Sequence, residues 1–207
     1  CAIDRRMSEP ASIDQDRDES TLRPRQLELL AELEAFFFTH GYRAATMDRL
    51  AQEMRCSKRT LYALAPSRKA LFTLIVDNWA ERIRRLGLEA DAREVDPRRR
   101  LAAYLEPGVS QTVGMTAAFL TDLRDLPATR SILEQHQRAR MAHLKAILED
   151  GVQAGMFKDI HPHLVARVCL AGMEQINEPL FLAQAGLSFS EAFAELYRLL
   201  MTGLEGR

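Results

Sequence analysis

Apolar residues recur at three- and four-residue intervals along most of this chain of 207 residues. Near the start of the pattern they are Leu27, Leu30, Leu33 and Phe37, which would share one face of a helix. No segment of the sequence shows the sustained apolar–polar alternation that is typical of a half-buried strand. The protein is therefore predicted to be all-α.

Composition is that of an ordinary globular protein. Hydrophobic residues make up 47% and charged residues 28% of the chain, and no apolar run approaches the ~20 residues that a membrane-spanning helix requires. The N-terminal residues lack the apolar segment of a signal peptide. The three cysteines, Cys1, Cys56 and Cys169, have neither a disulfide nor a metal-ligand spacing. The sequence therefore predicts a cytoplasmic protein.

Charge is unevenly distributed along the chain, although the net charge is only −1. Residues 1–21 are acidic and aperiodic, and we expect a disordered tail there. Residues 22–72 are basic, and the interval Arg55–Lys69 contains five bases and no acid. Such a patch suggests a face that meets a polyanion, although a solvated helix surface could have the same composition. Residues 73–207 form the remaining, slightly acidic segment.

Capping residues divide the basic segment into three helices and the start of a fourth. The first helix should end before Gly41, because glycine readily adopts the left-handed conformation that follows a helix. Thr46, Ser57 and Ser67 are predicted to begin the next three helices, since their hydroxyls can accept the free amides of a first turn.

The C-terminal segment is predicted to form long amphipathic helices separated by Pro and Gly. The first predicted helix runs from Ser67 through Leu86, and the second begins at Asp96-Pro97 and is interrupted at Pro107-Gly108. An apolar segment follows from Val109 to Leu123 and ends before Pro127. Further helices are predicted over about 129–154, 162–185 and 190–203.

The stretch TMDRLAQEMRCSKRTLYAL, residues 46–64, has the pattern of a helix-turn-helix. This motif needs a small residue where the helices cross, apolar residues inside the corner and polar residues on the outer face of the second helix. Ala51 can be the small residue. The corner residues would be Leu50, Cys56 and Leu61, and the outer residues Lys58, Arg59, Thr60 and Tyr62. A helix with such a face can enter the major groove of DNA.

The block from about Arg25 to Phe72 resembles the N-terminal domain of the TetR family of bacterial transcriptional regulators. FFFTHGY, ATMDRLAQEM, CSKRTLY and PSRKALF carry the resemblance in that order, and LKAILEDGVQAGMF and LLMTGL add a weaker C-terminal similarity. The resemblance implies a helix-turn-helix DNA-binding domain over residues 22–72. It also implies a helical effector-binding and dimerisation domain over residues 73–207.

The resemblance also implies a function. The chain would be a sequence-specific regulator that binds a palindromic operator in double-stranded DNA as a homodimer. It would act as a repressor that a small apolar effector releases. The sequence leaves the operator, the effector and the sign of regulation open.

What the resemblance implies for DNA contacts can be assigned to individual residues. Lys58, Arg59 and Thr60 would approach bases. The expected backbone contacts are Thr46, Tyr62 and Arg68. Arg55 stands where the family usually has glycine, and it could supply a further backbone contact.

Two more departures from the family pattern follow in the second helix. Leu64 replaces the usual histidine or tyrosine, and Ala65 replaces a phenylalanine that packs beneath this helix. We expect DNA binding with altered affinity. The alternative that these departures favour is a helical ligand-binding or interaction protein whose DNA binding has degenerated.

Large apolar side chains of the C-terminal segment are candidates for an effector pocket. They are Trp79, Met115, Phe119, Met141, Phe157 and Met173. Apolar stripes at helical spacing are more often ordinary core, so that reading stays open for each of them.

The last helices are candidates for a dimer interface, since the resembled family pairs two such helices with their symmetry mates. The candidate residues are Leu164, Val168, Gly172, Ile176, Phe193, Leu196 and Leu200. The alternative is that these residues cover the core of a single chain.

We expect no metal, no cofactor and no enzymatic activity. His136 and His143 are separated by two helical turns, about 10 Å, which is too far for one ion. The sequence contains no phosphate-binding glycine loop, no HExxH and no GxSxG. Cys56 lies beside basic residues that could activate a thiol as a redox switch, although packing inside the corner is the simpler interpretation.

Overall fold

The computed structural model describes residues 24–157 and 160–204, so the predicted tail over residues 1–21 lies outside the described residues. In those two ranges the regular secondary structure is entirely helical, which confirms the predicted fold class. The helices are α1 (Pro24–His40), α2 (Met47–Glu53), α3 (Lys58–Leu64), α4 (Arg68–Asp91), α5 (Pro97–Ser110), α6 (Ala117–Asp125), α7 (Pro127–Gln153), α8 (Pro162–Ile176), α9 (Pro179–Ala185) and α10 (Phe189–Leu204).

The predicted capping residues begin the helices of the N-terminal region. The hydroxyls of Thr46, Ser57 and Ser67 each accept the backbone N–H three residues further along, at 3.1 Å. Gly41 follows α1 with a φ of 73°, in the left-handed region. Local sequence therefore determines where these helices begin and end.

The predicted interruption at Pro107-Gly108 is wrong, because α5 continues through both residues to Ser110. Both are buried, and a Cβ atom on Gly108 would lie 2.7 Å from the Oη atom of Tyr197 in α10. Close packing against α10 outweighs the helix-breaking tendency of proline and glycine. The break comes after Ser110, where Gly114 turns the chain with a φ of 86°.

The predicted helix over residues 162–185 is two helices, α8 and α9. Proline disfavours helical geometry in the residue before it. Glu178, which precedes Pro179, accordingly has an extended backbone, with φ −87° and ψ 110°. The chain therefore changes direction between Ile176 and Pro179.

Helix α4 joins the N-terminal helices to the rest of the molecule and crosses the domain boundary predicted after Phe72. The Phe72 ring is fully buried and lies 5.1 Å from that of Phe37, 5.4 Å from that of Tyr42 and 5.8 Å from that of Phe119 in α6. The two halves therefore share one hydrophobic core.

A second junction connects α6 to the end of α1. The hydroxyl of Thr116 donates to the carbonyl oxygen of Phe38 at 2.9 Å. The buried carboxylate of Asp122 accepts the backbone N–H of Arg43 at 3.0 Å and pairs with its side chain at 3.2 Å. The loop before α2 is thereby fixed to the C-terminal half.

The C-terminal half is a helical bundle. Helix α4 packs against α5 and α7, α8 packs against α7, and α10 lies against α5 and α8. The helices surround a small internal cavity, which is described below.

Candidate functional site

The helix-turn-helix corner has the packing that the sequence predicts. Leu50 and Leu61 are fully buried, and Ala51 and Cys56 are half-buried against the same core. The backbone N–H of Cys56 donates to the carbonyl oxygen of Ala51 at 2.9 Å, which closes the turn. Helix α3 is therefore held across α2 by apolar contacts and leaves its polar face uncovered.

Arg55 occupies the position in the turn where glycine would be expected. Its φ of 48° makes it the one non-glycine residue with positive φ among the residues described. Left-handed geometry costs a residue with a Cβ atom about 1–2 kcal/mol. Its side chain is exposed. The turn therefore carries backbone strain and places a cation at the edge of the corner.

The outer face of α3 is polar and accessible. Lys58, Arg59, Thr60 and Tyr62 are all exposed, and Lys58 pairs with Asp48 of α2. A hydrogen bond to that carboxylate raises the pKa of Lys58. Arg59 forms no ion pair with any acid of the described chain. It is consequently the cation of this face that has no acidic partner among the residues described.

The two other predicted backbone contacts flank the corner. Thr46 is exposed at the start of α2. Arg68 is half-buried, donates from Nη1 to the carbonyl oxygen of Ala45 at 2.5 Å, and lies with its guanidinium 4.1 Å from the ring centroid of Tyr42. Arg68 thus braces the segment before α2, and a phosphate contact would use its remaining N–H groups.

The departures at the end of α3 lie inside the fold. Leu64 and Ala65 are buried, 7% and 5% exposed. Leu64 therefore contributes to the core beneath α3, and neither residue is available for a phosphate contact.

The environment of Cys56 favours packing over redox chemistry. Burial raises the pKa of its thiol, which is the opposite of the shift that activates a cysteine.

The internal cavity lies among α4, α5, α7, α8 and α10 and has a volume of about 20 Å³, room for about one water molecule. The structure brings two of the six predicted pocket residues to its wall, Trp79 and Met173. Trp79 also donates from Nε1 to the carbonyl oxygen of Gln111 at 3.0 Å. Apolar side chains, among them Ile83 and Phe193, form much of the remaining wall.

The other four predicted pocket residues lie elsewhere in the core. Met115, Phe119, Met141 and Phe157 are all buried, and none lines the cavity. Phe119 packs against the ring of Phe38, with centroids 4.8 Å apart. These four side chains therefore belong to the ordinary hydrophobic core, as apolar stripes at helical spacing most often do.

The sequence analysis missed the polar residues of the cavity. Arg140, His136 and Asn177 line it and are 1%, 4% and 5% exposed. Burial and the positive charge of Arg140 lower the pKa of His136 to about 3, so its imidazole is neutral. A signal was present in the sequence: His136 and Arg140 are four residues apart on the apolar face that Leu133 and Leu144 define in α7.

The predicted interface residues divide into three groups by burial. Ile176, Phe193 and Leu200 are buried within the described chain, and Gly172 and Leu196 are half-buried. Leu164 and Val168 of α8 are 61% and 60% exposed. Leu199 of α10, which the sequence analysis missed, is 70% exposed. Helices α8 and α10 pack against each other, and each carries exposed apolar side chains. We call Leu164, Val168 and Leu199 together the uncovered apolar surface of α8 and α10.

The described residues contain neither a candidate membrane-spanning helix nor a candidate metal cluster. Across 24–157 and 160–204, no helix is both long enough and apolar enough to cross a membrane. The same part of the chain contains no cluster of three His, Cys, Asp or Glu side chains that could hold a metal ion.

Comparison with known proteins agrees with the geometry of the corner. Residues 29–75 match the family described as bacterial regulatory proteins, tetR family. An uncharacterized HTH-type transcriptional regulator of Mycobacterium tuberculosis is 31% identical over 145 residues, which cover 69% of this chain and 70% of the relative.

Solved structures share the fold over most of the chain. A transcriptional regulator from Saccharomonospora viridis in complex with choline has a TM-score of 0.70 at 15% identity, with 88% of this chain and 98% of the other covered. The regulator FadR from Bacillus subtilis in complex with stearoyl-CoA has a TM-score of 0.64 at 13% identity, with 87% and 100% covered. At these identities the likeness concerns the fold alone.

Proposed function

The chain belongs to the TetR family of bacterial regulatory proteins, and on that premise we propose that it represses transcription from a palindromic operator until a small effector releases it. It is a DNA-binding transcriptional regulator. The observation that supports the proposed operator binding most directly is the exposed polar face of α3. This face is held across α2, and Arg59 on it has no ion pair among the described residues. A regulator of this kind acts on bacterial DNA, so we propose a cytoplasmic location.

DNA recognition would divide between two kinds of contact. Arg59, with Lys58 and Thr60, would read base edges in the major groove, since the N-terminal turn of a recognition helix reaches them. Contacts to the phosphate backbone would fix the orientation of α3. These contacts are assigned to Thr46, Arg55, Tyr62 and Arg68.

A titration of the full chain against duplexes from the DNA that flanks its own gene tests the assignment. Arg59→Ala should weaken specific binding by about 1–3 kcal/mol, which is roughly 5- to 150-fold. Arg85→Ala is the matched control, because Arg85 is also exposed but lies about 25 Å along α4 from Arg68. Unchanged affinity in Arg59→Ala would reject the role of this side chain.

The proposed homodimer would form through the uncovered apolar surface of α8 and α10. Two such surfaces facing each other would bury the side chains of Leu164, Val168 and Leu199, and a two-fold dimer would place two α3 helices about 34 Å apart on DNA. Leu199→Glu should produce monomers in sedimentation experiments and weaken operator binding. A variant that stays dimeric would show that the interface lies elsewhere.

The proposed effector would occupy the internal cavity, and the fold contains a connection from there to the DNA-binding corner. Thr112, in the turn after α5, lines the cavity. Four residues later Thr116 caps α6 and holds the end of α1 through the carbonyl oxygen of Phe38. A ligand that displaced this turn would therefore move α1 and, with it, α3. Weaker operator binding in the presence of a cavity ligand is the expected result.

A further inference from the structure

Arg140 is buried without a counter-charge. Its side chain is 1% exposed, and its guanidinium donates to two backbone carbonyl oxygens, of Ile83 at 3.4 Å and of Tyr104 at 3.2 Å. The guanidinium also lies 4.8 Å from the ring centroid of Tyr104, which is a neutral partner. No acid of the described ranges lies within ion-pair distance of it. A guanidinium has five N–H donors, so most of its capacity for an anion is unused.

Two other partly buried arginines of this chain pair with acids. Arg100 pairs with Asp91 and Asp150, each at 2.7 Å. Arg82 pairs with Glu34 at 2.5 Å. Arg140 is more deeply buried than either, and a buried charge without an opposite charge is unfavourable. The deep burial of this charge therefore favours an anion from outside the chain.

Further polar atoms near Arg140 lack hydrogen bonds. Within the described part of the chain, His136 Nδ1, Asn177 Oδ1 and Tyr197 Oη have no partner, and all three are buried. Two of these groups lie close together beside Gly108, since a Cβ atom there would lie 2.7 Å from Tyr197 Oη and 3.3 Å from Arg140 Nη2. Tyr197 Oη could donate to an anion that Arg140 holds.

Among the described residues, Arg140 is the one charged residue that lines the cavity, and the rest of the wall is apolar or neutral. We propose that the cavity binds a small apolar molecule with a single carboxylate, which pairs with Arg140 through two parallel hydrogen bonds. A guanidinium and a carboxylate carry opposite charges, and both are planar, so two parallel hydrogen bonds can join them. Trp79, Met173 and Phe193 would contact the apolar body of the ligand. This assignment rests on the proposed effector function and specifies its chemical class.

An open groove next to the cavity provides a route of entry. The groove, between α7 and α8 at the end of α6, has a volume of about 530 Å³. It shares Leu133, Gln137 and Asn177 with the cavity, so these three side chains form the wall between the two spaces. The cavity has room for about one water molecule. A ligand that enters from the groove must therefore displace this wall.

Calorimetric titration of the full chain tests the proposal with matched acids and amides. Octanoate and phenylacetate should bind about tenfold or more tightly than octanamide and phenylacetamide, because only the acids supply an anion. Arg140→Met should abolish this preference. Arg85→Gln should retain it, since Arg85 is exposed, pairs with Glu89 and lines neither the cavity nor the groove. Equal binding of acids and amides to the wild type, or no acid binding at millimolar concentration, would overturn the proposal.

A second variant guards against misfolding of Arg140→Met. Arg140→Lys keeps the charge but loses the two-pronged geometry, so the preference for acids should fall to an intermediate value. An unchanged preference in Arg140→Lys would contradict the paired hydrogen bonds.

DNA binding measured on the same samples separates the two proposals. If the protein binds its operator but acids neither bind nor alter that affinity, the carboxylate assignment fails and the regulator stands. If acids bind through Arg140 but no duplex is bound, the DNA-binding role proposed for this chain fails and the ligand assignment stands.

Discussion

The two regions of this molecule treat their arginines in opposite ways. In the corner, Arg55 and Arg59 lie exposed on the surface, where water solvates their charges. In the bundle, Arg140 is fully buried with only neutral partners among the described residues. An exposed cation costs the fold little and is available to a large polyanion. A buried cation is costly to the fold, so its presence points to a small anion that can enter.

The two regions share one hydrophobic core through Phe72, and a change at this residue should have the largest effect on stability. Phe72→Ala should lower the free energy of unfolding by about 3–5 kcal/mol, because a fully buried ring that contacts both regions leaves a cavity. Urea unfolding should still show one transition. Tyr62→Ala is the control, since Tyr62 is 49% exposed and should change stability by less than about 0.5 kcal/mol. Two separate transitions would show that the regions unfold independently.

The buried polar cavity should make the fold sensitive to acid. The pKa of His136 is about 3 in the folded chain and ordinarily 6.5. As the pH falls from 6.5 toward 3, the unfolded chain binds a proton that the folded chain excludes. Stability is therefore lost at about 1.4 kcal/mol per pH unit, or about 2 kcal/mol between pH 7 and pH 5.

Urea unfolding of His136→Gln across this pH range measures that contribution. The variant should lose about 2 kcal/mol less than the wild type on going from pH 7 to pH 5. His163→Gln, which changes an exposed histidine, should keep the wild-type slope. Equal slopes in His136→Gln and the wild type would mean that His136 accepts a proton in the folded chain.

The smallest expected effect on stability is at Arg55, in the strained turn of the helix-turn-helix corner. Arg55→Gly should raise the free energy of unfolding by up to about 1 kcal/mol, because glycine adopts positive φ without strain but loses more entropy on folding. Arg55→Ala removes the same side chain and keeps the strain, so it should bring no gain. If both variants lose the same amount of DNA affinity, the side chain of Arg55 makes the contact. If only Arg55→Gly loses affinity, DNA binding depends on the geometry of the turn.

The helix-turn-helix corner could be predicted from the sequence, because residues close to each helix end determine where its helices begin and end. Thr46, Ser57 and Ser67 cap the helices that follow them, and Gly41 ends the first helix. Each of these effects operates within a few residues of the chain. The polar face of α3 follows directly from the helical period once those boundaries are fixed.

The cavity could not be predicted in the same way, because five helices that are distant in sequence assemble it. Helical periodicity identifies buried residues, but it does not distinguish Trp79, at the cavity, from Phe119, in the core. The continuation of α5 through Pro107 likewise depends on contacts with α10. Arg140 was detectable as a charge on an apolar helix face, and only the structure identifies its partners as neutral.

The most direct test of the account is the salt dependence of DNA binding by the wild-type protein. If the exposed cations around α3 bind phosphate, the logarithm of the association constant should fall linearly with the logarithm of the salt concentration. Fluorescence anisotropy with a labelled operator duplex measures this relation. We expect tight binding in dilute buffer and a steep negative slope. No binding in dilute buffer, or an affinity that does not change with salt, would show that these cations do not bind phosphate.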